Sequence, residues 1–369
     1  MGGLKRIIFT VTNDLSYDQR MQKICRSLCK AGYDVELVGR KLNTSIPFKG
    51  EPFRQKRLRC LFNKGKLFYV EYNLRLLVYL LLKQFDALCA IDLDTISPVY
   101  IAGKLKGARL IYDAHEYFTE VPEVINRPLT KFVWKLVERT FVPRFDLFYT
   151  VSPGLAALYE KQYGKQVDLI MNVPLLLPES EKPLAPGPFI LYQGALNTGR
   201  GLERLLGAMM QVDCKLVIAG EGDLSKRLRE LAANLNLKNK VEFKGSVKPA
   251  ELLLLTRQAT IGINLLENKG LSYYYSLANK FFDYIHAGIP QVCIDFPEYR
   301  LINDKYHVAL LIAETHPEEI SGLLNHLLQD TGLYASLQKN CNACKQDLNW
   351  QKEEAKLLQL YARLWNASD

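Results

Sequence analysis

Short runs of apolar and β-branched residues recur along the whole chain, each followed by a loop and a helical pattern. This alternation leaves few folds open. The first run is Lys5–Thr12 (KRIIFTVT). It passes through NDLSYDQR into a helical pattern carrying Met21, Ile24 and Leu28 that stops at Gly32, and VELVG (Val35–Gly39) follows. Runs of the same kind lie at Phe85–Ile91, Ala108–Asp113 and Phe145–Val151. Strand, loop, helix and strand in that order predict an α/β domain. Pro174, Pro178, Pro183, Pro186 and Pro188 then crowd into one stretch, which reads as a linker at 176–188. The alternation restarts at Phe189–Gln193 (FILYQ) and continues through Lys215–Gly220, Val241–Gly245, Ile261–Leu265, Gln291–Asp295 and Leu310–Ala313. A last helix is predicted from about Lys352 to Leu364. The 369 residues thus divide into a domain at 1–175, a domain at 189–348 and a terminal segment at 349–369, as the length also suggests.

Bulk properties narrow the class. With 48% apolar and 24% charged residues, each half can build a sizeable core. The net charge of +9 is uneven: residues 1–180 hold 27 Lys+Arg against 18 Asp+Glu, while 181–369 hold 21 of each. A basic half can face a membrane, a nucleic acid or an acidic substrate. Arg54, Lys56, Arg57, Arg59, Lys64 and Lys66 form a basic segment with no acidic residue between Glu51 and Glu71. An apolar stretch, Leu67–Leu82, follows. The segment reads either as a solvated basic loop before a buried helix or as a contact to anionic lipid headgroups. The eight cysteines suggest a reducing compartment, and Cys341-x-x-Cys344 has no second pair to complete a zinc site. No signal peptide is visible and no apolar run reaches the length of a membrane span, so a cytoplasmic protein is expected, with peripheral attachment to the inner membrane face left open. The loop after the first strand lacks G-x-G-x-x-G, which argues against a dinucleotide site there.

The most informative stretch is Leu271–Pro290, LSYYYSLANKFFDYIHAGIP. Ser276 reads as the N-cap of a helix over Leu277–His286, Gly288 as a left-handed C-cap and Pro290 as a stop. The helix start carries Asn279, Lys280 and Asp283. Open backbone N–H groups beside a lysine suit a phosphate, and a carboxylate one turn further on can accept from a ribose diol. The plainer reading is a capped helix with a solvated lysine and aspartate. Gly194 to Gly201 is a strand-to-helix loop carrying Arg200, of the kind that can cradle a diphosphate. Asp113, His115 and Glu116 stand at the carboxyl end of a strand, where open α/β sheets bind ligands. Asn13, Asp14 and Asp18 occupy the first loop, with a capping or turn role as the alternative for Asp14. Asp92-Leu93-Asp94 is a D-x-D triplet that either binds a metal or caps the next helix.

NKFFDYIHAGIP resembles the donor-nucleotide segment of the retaining family 4 glycosyltransferases, where one large branch reads N-K-x-F-E-Y-x-x-x-G-x-P. Asn279, Lys280, Phe282, Tyr284, Gly288 and Pro290 match, with Asp283 in place of Glu. Tyr275 stands where a commoner version of the motif has a second Glu. Arg200-Gly201 is similar to the family's second diphosphate cation, whereas Ala195 stands in place of the first. D-x-H-E at Asp113–Glu116 and N-x-P at Asn172–Pro174 are also family-like. The resemblance implies the GT-B fold: two facing Rossmann-like domains, a cleft between them, and a terminal helix crossing back to the first. It implies a nucleotide diphosphate sugar, UDP- or GDP-linked, bound by Gly194, Arg200, Ser276, Asn279, Lys280 and Asp283. His115 and Glu116 would be the catalytic pair, and Asn13, Asp14 and Asp113 acceptor or loop contacts. The acceptor would be a saccharide or lipid-linked acceptor in surface polysaccharide synthesis, with neither metal nor cofactor and no nucleic acid. A nucleotide-sugar epimerase on the same fold and a non-catalytic membrane-docked scaffold are the rival readings.

Overall fold

The computed structural model describes residues 4–16, 18–48, 50–178 and 187–366. They form two units, one comprising Met1–Met171 with Glu353–Asp369 and the other Asn172–Lys352. Residues 179–186 of the expected linker, with Pro183 and Pro186, lie outside the described residues.

The first unit is built on seven parallel strands: β1 (Arg6–Thr10), β2 (Asp34–Lys41), β3 (Arg54–Arg59), β4 (Ala87–Ile91), β5 (Arg109–Ala114), β6 (Leu147–Thr150) and β7 (Asp168–Leu169). Their order is β3-β2-β1-β4-β5-β6-β7. The apolar runs became the central strands because helices cover both faces; β4 is buried at every residue. The order reverses between β1 and β4, so the loops leaving these two strands part there and open a crevice at the carboxyl ends. One expectation is corrected. The first half of the basic segment is no loop: Arg54–Arg59 pairs with β2 over six residues as the sheet's edge. Cations on an edge strand discourage pairing with another chain, and they hid this strand from a search for apolar runs. Residues of the last helix (Trp350–Asn366) from Glu353 onward belong to this unit. Tyr361 sits 6.4 Å from the Phe9 ring, its hydroxyl 3.3 Å from that of Tyr149, and Glu353 accepts the Met171 N–H at 2.9 Å.

The second unit has six parallel strands: β8 (Phe189–Gln193), β9 (Lys215–Ala219), β10 (Val241–Gly245), β11 (Ile261–Asn264), β12 (Gln291–Ile294) and β13 (Ala309–Ile312), in the order β10-β9-β8-β11-β12-β13. Here the order reverses between β8 and β11. Gly262 of β11 makes room for the Tyr284 ring, which a Cβ would approach to 2.4 Å. The Tyr284 hydroxyl donates to the Leu191 and Ile263 carbonyls at 3.0 and 3.3 Å. This seats the helix Asn279–Ala287 over the reversal point. Its start differs from expectation. Ala278, not Ser276, holds the cap position, and Ser276 Oγ donates to the Tyr273 carbonyl at 2.8 Å, closing the preceding turn. The cause is tertiary: the Tyr299 hydroxyl accepts the Ala278 N–H at 3.0 Å and holds the chain extended for two residues longer. Gly288 does adopt the left-handed cap, at φ 66°.

Candidate functional site

Two clusters of polar side chains lie at the carboxyl ends of the sheets, one in each unit. In the second unit, Gly194 follows β8 with φ 127°. A Cβ there would stand 3.4 Å from both Cε and Nζ of Lys280, so glycine leaves the lane this side chain occupies. Lys280 is the second residue of its helix, 7% exposed, with Nζ 3.7 Å from the centre of the Tyr192 ring. Burial, then the nearby positive charge of Arg200, pushes its amine well below the usual lysine range. Arg200 lies over the Tyr273 ring at 4.7 Å, and its buried Nε meets no acceptor among the described residues. Neither cation has a salt bridge among the described residues, although Asp283 is close enough to favour the charged lysine. Asp283 accepts from Gln193 Nε2 at 2.7 Å, and Gln193 Oε1 accepts from Thr256 at 2.7 Å, which fixes the carboxylate beside the end of β8. Asn279 is exposed and accepts from Asn172 at 2.8 Å. Since Ala278 carries no capping oxygen, the first amides of this helix have no side-chain cap among the described residues. Two like charges held close in a partly dry site, beside open amides, suit a ligand with two or more negative charges.

In the first unit, His115 Nε2 lies 3.1 Å from Asp113 Oδ2. Asp113 Oδ1 accepts from Arg20 Nη2 at 2.9 Å, and Arg20 Nη1 donates to the Ile170 carbonyl at 2.9 Å. The His115 N–H donates to Asp92 at 2.8 Å, and Asp94 accepts from the Thr12 hydroxyl. Burial alone would lower the His115 pKa, but Asp113 and Asp92 outweigh it and hold it at about 9. Asp113 is opposed by its burial and still lowered by Arg20 and His115. Asp94, buried and near Glu116, is pushed up to about 7 despite its bond from Thr12. The result is a charged imidazolium oriented from beneath, in a pocket of carboxyl groups of unequal acidity. Glu116 is exposed beside it, and its carbonyl accepts from Tyr159 at 3.3 Å.

The structure therefore gathers Gly194, Arg200, Lys280 and Asp283 in one unit, and Asp113, His115 and Glu116 in the other. Asp14 is tied into its own loop: Ser16, Ser45 and Arg57 all donate to it, Arg57 at 3.1 Å. Asn13 is exposed, and its carbonyl accepts the Arg40 N–H at 3.0 Å. The D-x-D carboxylates do not cap the following turn or helix; they serve His115 and Thr12. Among the described residues, no cluster of three or more metal-type side chains occurs. Sequence reasoning missed Arg20, Tyr192, Tyr273 and Gln193. Arg20 alone had a signal, a cation four residues before Ile24 on the apolar side of the first helix.

Comparison with known proteins agrees with this division. The family Glycosyltransferase Family 4 matches residues 19–173, and Glycosyl transferases group 1 matches 178–343. The alpha-monoglucosyldiacylglycerol synthase of Streptococcus pneumoniae is 35% identical over 167 residues, which is 43% of this chain and 35% of the relative. This chain thus matches about a third of that relative's length. Among solved structures, the sucrose-phosphate synthase of Thermosynechococcus elongatus superposes with a TM-score of 0.83 at 18% identity, covering 99% of this chain and 100% of that one. Anabaena HepE in complex with UDP-glucose superposes with a TM-score of 0.75 at 13% identity, covering 97% and 99%. At such identities the likeness speaks for the fold. With one family on the first half and the other on the second, on two Rossmann-like parallel sheets, this chain belongs to the group 1, family 4 glycosyltransferases of GT-B fold.

Proposed function

We propose that the protein transfers a sugar from a UDP- or GDP-sugar to a saccharide or lipid-linked acceptor, with retention of anomeric configuration. In this reading, the second unit holds the donor and the first unit serves the acceptor. The observation that carries it is the pair Arg200 and Lys280: Lys280 is buried beside Gly194, the Arg200 Nε is buried as well, and neither cation has a salt bridge among the described residues. The chemical difficulty is the departing nucleoside diphosphate, on which negative charge grows as the glycosidic bond lengthens. Preorganised cations and amides in a low-dielectric site stabilise that charge without having to reorganise. Arg200, Lys280 and the first amides of Asn279–Ala287 supply it, and Asp283, steadied by Gln193, accepts from the ribose hydroxyls. His115, held as an imidazolium by Asp113, donates to the sugar or to the oxygen it leaves. The name of the pneumococcal relative supports an acceptor of lipid type and an α-linked product, as retention from an α-linked donor gives. Lys56, Arg59, Lys64 and Lys66 are exposed and contact anionic headgroups on the inner face of the membrane.

The test is calorimetric titration with UDP, GDP and their sugars, followed by product analysis with diacylglycerol and saccharide acceptors and NMR of the new anomeric centre. Binding of one nucleotide, lost by at least tenfold in Arg200→Ala, is the expected result. Saturable transfer that is unaffected by this substitution refutes the assignment.

A further inference from the structure

The first half of the helix Gly65–Leu81 is tied to the carboxyl ends of the central strands of the first unit. The Tyr72 hydroxyl donates to the Val11 carbonyl, just past β1. Asn73 Nδ2 donates to the Tyr69 carbonyl at 2.8 Å and to the Asp94 carbonyl, just past β4, at 2.9 Å. Arg40, near the end of β2, lays its guanidinium 4.3 Å from the centre of the Phe68 ring. These contacts bring Arg40, Tyr69 and Asp94 together where the strand order reverses. Burial and then Asp94 raise the pKa of the Tyr69 hydroxyl, and Arg40 opposes them.

The charge of Arg40 is not met. Its Nη1 donates to the Asn63 carbonyl at 3.3 Å, but its Nε is buried and has no acceptor among the described residues. No carboxylate pairs with it among those residues either. Arg57, one strand along, shows the paired alternative: its Nη atoms donate to Asp14, Ser16 and the Ile46 carbonyl. A guanidinium laid on a ring has its fork fixed in direction, and such a fork matches a carboxylate or a phosphate.

An aromatic wall leads from Arg40 toward His115. The Tyr69 ring meets Trp134 edge-on at 5.7 Å, and Trp134 meets Phe118, three residues past His115, at 4.9 Å. All three side chains are partly buried. Neither the Tyr69 hydroxyl nor the Trp134 N–H is hydrogen-bonded among the described residues. Rings with an apolar body and an open polar edge suit the C–H face and the hydroxyls of a pyranose.

We propose that Arg40, Tyr69, Trp134 and Phe118 form the acceptor subsite, and that its occupant is a pyranose carrying a negative group, phosphate or carboxylate. The rings take the C–H face of the sugar, Arg40 takes the anion, and the far end of the sugar lies toward His115. The inference rests on the reading that the first unit serves the acceptor, and it adds the charge of that acceptor.

The test is calorimetric titration of the full chain with glucose 6-phosphate, glucuronate and glucose. At least one charged sugar is expected to bind roughly tenfold or more tightly than glucose, and which one does so separates phosphate from carboxylate. Arg40→Gln should erase that preference and leave glucose binding unchanged, whereas Trp134→Leu should weaken all three sugars alike. Arg40→Lys keeps the charge without the fork; it should fold as the wild type does and retain only part of the preference. Equal affinity of the wild type for glucose and both charged sugars overturns the proposal, and so does a preference that is undiminished in Arg40→Gln and Arg40→Lys. A preference lost in Arg200→Ala places the anion on the donor cations and overturns it as well. Titration with UDP and GDP separates this inference from the sugar-transfer reading: if neither nucleotide binds, that reading fails, while a preference that depends on Arg40 leaves the anionic-sugar site standing.

Discussion

Lys280→Met separates the charge from the shape of the site. The ammonium is buried, near Arg200 and without a salt bridge among the described residues, so the unliganded protein bears a desolvation cost that a dianionic ligand would relieve. Methionine fills a similar volume. Replacing buried charge by apolar side chains of similar size is often neutral to stabilising, by about 1–4 kcal/mol. A gain of about 1–2 kcal/mol is expected here, since the ring of Tyr192 already offsets part of the cost. For a unit of this size that is a rise of roughly 2–8 °C in melting temperature. The pH dependence supplies a second signature. The folded pKa lies below the unfolded value, so the unfolded chain binds the extra proton, and stability climbs with pH from the folded pKa up to about 10.4. The variant loses that climb. With UDP at about a hundred times its dissociation constant, the wild-type protein should gain about 2.7 kcal/mol and the variant almost nothing. Differential scanning fluorimetry with and without nucleotide reads all three effects. A lower melting temperature for the unliganded variant, or an undiminished nucleotide shift, refutes the argument that Lys280 is a stored, unpaired charge awaiting an anion.

Four other measurements probe the scaffold. The His115 pKa is raised to about 9, so its contribution is complete below about 6.5 and fades as pH rises through 9; in His115→Gln, melting curves should lose their decline between those limits. Asp113→Asn leaves Arg20 and His115 without their shared carboxylate and should cost about 3–5 kcal/mol in chemical denaturation; a loss within about 0.5 kcal/mol would mean that the pairing is not structural. Burial pushes Glu138 to about 7, against the bond from Thr119, so the folded state loses stability as pH rises through that value. Glu138→Gln should therefore stabilise by about 1–2 kcal/mol at pH 8 and change little at pH 5. Gly262→Ala drives a methyl group into the Tyr284 ring and should cost about 3 kcal/mol or more, lowering expression or the urea midpoint.

Strands with strong local signals were legible in full. Phe189–Gln193 begins and ends where its run does, because an apolar run bounded by Pro188 and Gly194 has one sensible reading, and Val241–Gly245 matches its alternating apolar and charged run. The strand Arg54–Arg59 was not legible, since an edge strand needs only one covered side and can be written almost wholly in cations. Ser276 was a sound local guess for the cap, and a hydroxyl from Tyr299, twenty-three residues on, overrode it. The candidate site divides the same way. Lys280, Arg200 and Asp283 could be singled out from spacing and family likeness, but their setting could not. Tyr192 beneath the amine, Gln193 on the carboxylate and Arg20 beneath Asp113 come from other elements.

The order of residues alone settled that this chain makes two parallel α/β sheets, and it marked the strand ends where chemistry is gathered. Local periodicity and Gly or Pro punctuation carry that much, because each acts on its immediate neighbours. Which cations are dry, which carboxyls hold protons and which helix faces stay uncovered was decided only when the strands took their order. Solvation and charge pairing depend on residues 20 to 150 positions apart in sequence being brought side by side, as Arg20, Asp113 and Ile170 are.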